Sequence, residues 1–70
     1  MPGQHFSYAL FAALYGQLGE RRAAAKTVQV LLSLAPDFAS TARDQFGKWY
    51  LPELVDHLID GLRKAGLDMA

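Results

Sequence analysis

The first stretch of the chain is apolar almost all the way round. In QHFSYALFAALYGQL, Tyr8, Phe11, Ala12, Tyr15 and Leu18 follow the i, i+3, i+4, i+7 spacing of one helical face, and Phe6, Leu10, Ala13 and Leu14 line the surface beside it. No glycine or proline interrupts the run between Gln4 and Tyr15, and Leu18-Gly19 is a stop signal, so a helix over 4–18 is predicted. A second helix is predicted from about Glu20 to Leu34, ended by Pro36. It is plainly amphipathic: Ala24, Val28, Leu31 and Leu32, with Leu34 beyond, face one side, and Arg22, Lys26, Gln29 and Ser33 the other. A linker as short as Gly19-Glu20 forces the two helices antiparallel, as a helical hairpin.

Pro36 suits the first position of a third helix, where its missing N–H would be unbonded anyway, and that helix is predicted over 36–46 with Gly47 closing it. GKWYL then makes a turn carrying two large aromatics. Pro52 opens a fourth helix, PELVDHLIDGLRKA, over 52–65. The AGL sequence at its end fits a Schellman cap, with Gly66 left-handed and Leu67 folding back toward Leu62. The fold class predicted is all-α, a hairpin plus a second helix pair in one domain spanning 1–70, with a frayed tail at 68–70.

Seventy residues without cysteine must find their stability in helix packing or in a partner, because neither disulfides nor a Cys/His zinc cluster is available. A mean hydropathy of +0.05 suits a globular chain rather than a disordered one. Seven basic residues balance seven acidic ones, so no net field attracts nucleic acid or an anionic membrane. No apolar run approaches the roughly 18 residues that span a bilayer, and MPGQHF lacks the features of a signal peptide. A cytoplasmic location, with neither nucleic-acid nor membrane partner, is therefore expected.

Counted from His5, the first two helices and the proline after them fit the 34-residue period of the tetratricopeptide repeat. Tyr8 falls on the large-aromatic position, Phe11 and Ala12 on the Leu-Gly pair, Tyr15 on the tyrosine and Leu18-Gly19 on the turn. Ala24 takes the strict small position, Val28 that of Phe, Leu31 the next Ala, and Pro36 the closing proline. Residues 5–38 thus resemble a tetratricopeptide motif, with 39–70 as capping helices. The resemblance implies that small Ala12 and Ala24 let the helices approach while Tyr8, Phe11 and Tyr15 fill the space around that contact. Ala12 for glycine, Val28 for an aromatic and Leu31 for alanine depart from the pattern. The segment FGKWYLPELVDHLIDGLRKAGL resembles the tail after the last repeat in bacterial proteins with an N-terminal adenylate or guanylate cyclase domain. Cyclase chemistry would then reside outside this chain, which carries no cyclase residue.

The remaining chemistry is weak. Glu53, Asp56, His57 and Asp60 share one face of the fourth helix, but the opposite stripe (Leu54, Leu58, Leu62 and Ala65, with Val55) is apolar, so the charged stripe reads as a solvated face rather than a metal site. Glu53/His57 and Asp60/Lys64 are i, i+4 pairs. Ser7 and Ser40 lack a nucleophile motif, and no phosphate loop or dinucleotide fingerprint occurs. Neither enzyme activity nor a cofactor is expected. Trp49 and Tyr50 are expected to close the end of the core.

The resemblance places Phe6, Ala9, Ala13, Gly16 and Gln17 on the face that lines a groove in tetratricopeptide arrays. This face is small and apolar, suited to an extended peptide or a helix rather than to a carboxylate clamp. A repeat cannot bury its face alone, and Phe6, Leu10 and Leu14 would be left uncovered. A protein or peptide partner is therefore expected at Phe6, Ala9, Leu10, Ala13, Leu14 and Gln17, with a homodimer closing the Phe6, Leu10 and Leu14 surface. Two function classes stay open: an interaction module at the end of a larger bacterial regulatory or signalling protein such as a cyclase, and a free-standing small helical dimeric adaptor or regulatory subunit.

Overall fold

The computed structural model describes residues 4–67, and everything below concerns those residues; the tail at 68–70 and Met1–Gly3 lie outside them. Four helices follow one another, α1 (Gln4–Leu18), α2 (Arg21–Leu34), α3 (Phe38–Gly47) and α4 (Pro52–Lys64), with no strand among the described residues. α1 lies between α2 and α4, while α3 packs mainly against α4.

The hairpin turn is built on Gly19, whose φ of 76° places it in the left-handed region that an L side chain avoids. The Glu20 N–H reaches back to the Tyr15 carbonyl at 3.0 Å, closing α1, and Glu20 is the residue before α2 rather than its first turn. Its side chain makes no capping bond, so α2 begins with Arg21-Arg22 at the positive end of its dipole. Ala12, Ala24 and Leu31 are fully buried between the helices and Val28 nearly so. Bulky Leu31, where a tetratricopeptide motif has alanine, is one of the largest fully buried side chains.

Pro36 does not open α3. With Asp37 it forms a turn in which the Phe38 N–H bonds the Ala35 carbonyl, and α3 starts two residues later than its proline suggests. The Ser40 hydroxyl and backbone N–H both bond the Asp37 carbonyl. Gly47 is the last helical residue instead of the stop, and the helix-to-helix turn falls on Lys48 to Leu51.

α4 begins as its sequence directs, with Pro52 at the first position, Glu53 in the first turn and Arg63 and Lys64 in the last, each charge complementing the helix dipole. Gly66 has φ 102°, its N–H bonds the Arg63 carbonyl, and the Leu67 N–H bonds the Leu62 carbonyl, both at 3.0 Å. That is the Schellman pattern, and it folds buried Leu67 back onto the core.

The core has two parts. At one end Phe38 and Phe46 of α3 meet edge to face, with ring centroids 5.8 Å apart; His5 packs on Phe38 and Phe6 on Phe46. At the centre, Ala9, Ala13 and Gly16 of α1 meet α4, where Val55, Leu58, Ile59, Gly61 and Leu62 are buried. The crossing is so close that a Cβ added to Gly16 would collide with the Gly61 carbonyl, and one added to Gly61 with the Ala13 carbonyl. Each glycine therefore leaves room for a backbone carbonyl of the facing helix that any side chain would displace.

Candidate functional site

The groove face expected on α1 is used within the chain. Ala9, Ala13 and Gly16 are buried under α4 because, lacking side-chain bulk, they are what lets α4 approach. Gln17 is a clasp over the same crossing. Its Nε2 donates to the His57 carbonyl at 2.9 Å and to Asp60 Oδ2 at 3.1 Å, while its Oε1 accepts from Lys64 Nζ at 3.1 Å. The hydrogen bonds from Lys64 and then Gln17 hold the exposed Asp60 carboxyl below the ordinary aspartate value. The Asp60/Lys64 pair is formed, and the other ion pair among the described residues is Arg43 with Asp56 at 2.7 Å.

The surface expected to be left over is also rearranged. Phe6 is stacked near-parallel to Tyr50 and lies against Phe46, and Leu10 packs against the core, so both are partly buried within the chain. Leu14 is open, at 53% exposure. Its companions are Phe11, at 52%, and Leu18, at 73%. Phe11 was expected inside the hairpin; it lies outside because Ala12, one residue on, takes the position nearest α2.

Phe11, Leu14 and Leu18 stand at i, i+3 and i+7, a single apolar stripe continued toward the N-terminus by polar Ser7 at i−4. On α2, Arg22, Lys26, Val30 and Leu34 follow at successive i+4 steps, and all four are exposed. Between the two rows lies a shallow hollow of about 330 Å³ lined by Tyr8, Tyr15, Ala23, Lys26, Thr27 and Val30. Tyr8 and Tyr15 flank Phe11 at i−3 and i+4, so hollow and stripe form one face of the hairpin, turned away from α4.

This face has a sign. Residues 4–34 carry Arg21, Arg22 and Lys26 against Glu20, whereas residues 35–67 carry four cations and five acids. None of the three hairpin cations has an ion-pair partner among the described residues.

A second concavity, of about 860 Å³, opens beside the aromatic end of the core. Phe6 and Tyr50 form its apolar wall, and His5 Nε2, 2.8 Å from Gln45 Oε1, continues through Gln45 Nε2 to Thr41 Oγ1 as a polar edge. Trp49 stands at its rim 73% exposed instead of closing the core, a place Tyr50 takes alone. On α4, Glu53, Asp56, His57 and Asp60 face outward, Leu54 is exposed, and Ile59 takes its place inside. No group of three metal-ligating side chains occurs among the described residues, and no described helix is long and apolar enough to cross a membrane. Comparison of the chain with protein-family models, curated proteins and solved structures finds no match.

Proposed function

We propose that this chain is a protein–protein interaction module, a tetratricopeptide-like hairpin and cap serving as the terminal unit of a larger bacterial regulatory or signalling protein. The observation that carries this reading is the asymmetry of α1. One side is sealed by α4 across the Gly16/Gly61 crossing, and the other presents Phe11, Leu14 and Leu18 in a row to the solvent. Leaving such side chains in water forfeits about 1.5 to 3 kcal/mol each relative to full burial, and a contiguous apolar face marks a contact surface. The 3-4 spacing of Phe11, Leu14 and Leu18 suits a helix laid alongside α1.

The hairpin's placement of Ala12, Ala24, Val28 and Leu31 inside and Gly19 in the turn supports the tetratricopeptide resemblance. The exposure of Phe11 and the docking of α4 on the face that would line a groove set this unit apart from a repeat in the middle of an array. The reading assigns no catalytic step to the chain; any cyclase chemistry of the parent protein belongs to another domain.

The test is selection of helical peptides from a library of amphipathic sequences, followed by chemical-shift mapping of the best binder. The expected shifts centre on Phe11, Leu14, Leu18, Val30 and Leu34. Shifts centred on α4 or on the Trp49 rim would contradict the reading.

A further inference from the structure

The open face could be covered by a second copy or by a different protein, and its charge separates the two. In a two-fold pairing the same surface meets itself, so Arg22 and Lys26 of both copies would gather around one apolar seam. On each hairpin only Glu20 is available to answer them. The N-terminus of α2, which has no acidic residue in its first turn and no side-chain cap, adds the positive end of a helix dipole on the same side. Glu20 apart, the charges around the seam favour a negative partner. The row that carries these cations is the row that carries Val30 and Leu34, so one bound helix would touch both its basic and its apolar stretches.

We infer that the occupant of this face is an amphipathic helix of a partner protein, with apolar side chains at 4-3 spacing and carboxylates along the flank that lies over Arg22 and Lys26. The inference rests on the interaction-module reading and adds to it the chemistry of the partner. Apolar contact with Phe11, Leu14 and Leu18 supplies affinity, and the two cations select the partner and its direction along the seam.

Three synthetic 18-residue helical peptides, identical along the apolar stripe and bearing Glu, Gln or Lys on the flank, are titrated into the full chain by fluorescence anisotropy. The Glu peptide is expected to bind about tenfold more tightly than the Gln peptide, and the Lys peptide more weakly still. The difference should shrink as salt is raised. The doubly substituted chain, Arg22→Glu with Lys26→Glu, should invert the order; both sites are exposed, and circular dichroism confirms that the helices persist. Equal binding of the Glu and Gln peptides, with the double variant unchanged, overturns the inference and leaves the interaction face standing. A stable dimer of the chain alone in equilibrium sedimentation, lost in Leu14→Glu, makes the occupant a second copy and overturns it too. So does tight binding to vesicles of anionic phospholipid without peptide binding. If no peptide binds and Phe11, Leu14 and Leu18 show no shift, both the inference and the module reading fall.

Discussion

A methyl group at position 61 has nowhere to go: it would drive into the Ala13 carbonyl, which is backbone and cannot rotate aside. Gly61→Ala is therefore expected to destabilise the fold by about 1 to 3 kcal/mol, the cost of overpacking, despite the better helix propensity of alanine. Gly47→Ala is the control. Nothing lies within 4 Å of its added Cβ, so at the end of α3 it should be neutral or stabilise by up to about 1 kcal/mol. Thermal denaturation of the two variants separates a packing glycine from a permissive one. Gly66→Ala should cost about 1 to 2 kcal/mol for a different reason, the left-handed φ of the Schellman cap. At Asp60 the prediction concerns pH. The carboxyl is held below its ordinary value by Lys64 and Gln17, so what the clasp contributes is present above the unfolded-state pKa and lost as pH falls through the lower, folded one. A carbon-detected NMR titration should place Asp60 below free aspartate in the parent chain, and Lys64→Met should move it upward.

At the scale of elements, the sequence is most legible where local chemistry decides. α1 runs over 4–18 as its breakers indicate, Pro52 opens α4, and Gly66 ends the fourth helical segment with Leu67 folded inward. Where two local signals compete, boundaries move: Pro36 is good at a first helical position, but the turn in which the Phe38 N–H bonds the Ala35 carbonyl places the proline outside, and Asp37 holds the cap position without a side-chain capping bond. The choice of faces on α1 was not legible from periodicity. A helix apolar on nearly every side gives no direction, and both Phe6, Leu10 and Leu14 and Phe11, Leu14 and Leu18 are regular stripes. The signal that could have chosen was size. Ala9, Ala13 and Gly16 on α1 answer Gly61 and Ala65 on α4, and small residues at such spacing mark where two helix backbones approach. Trp49 shows the same limit. Large apolar residues favour the interior, yet Phe38, Phe46, Phe6 and Tyr50 already fill that end, and Trp49 is left at the rim. Its fluorescence should therefore resemble that of indole in water and be readily quenched by acrylamide.

For the whole molecule, the radius of gyration of 10.7 Å is close to the roughly 11 Å expected of a folded chain of this length. The described residues enclose a core of their own and leave one helical face uncovered. These two properties predict a separation of effects. Leu14→Glu, on the surface, should change stability by no more than about 0.5 kcal/mol and abolish peptide binding, whereas Leu62→Ala, in the fully buried core, should cost about 2 to 5 kcal/mol. The central claim is that α4 seals one side of α1 and leaves the other to a partner. Solvent paramagnetic relaxation enhancement along α1, measured with a soluble spin probe, tests it most directly. Strong enhancement at the side chains of Phe11, Leu14 and Leu18 with protection at Ala9, Ala13 and Gly16 is the predicted result; protection of the first group with enhancement of the second would contradict it.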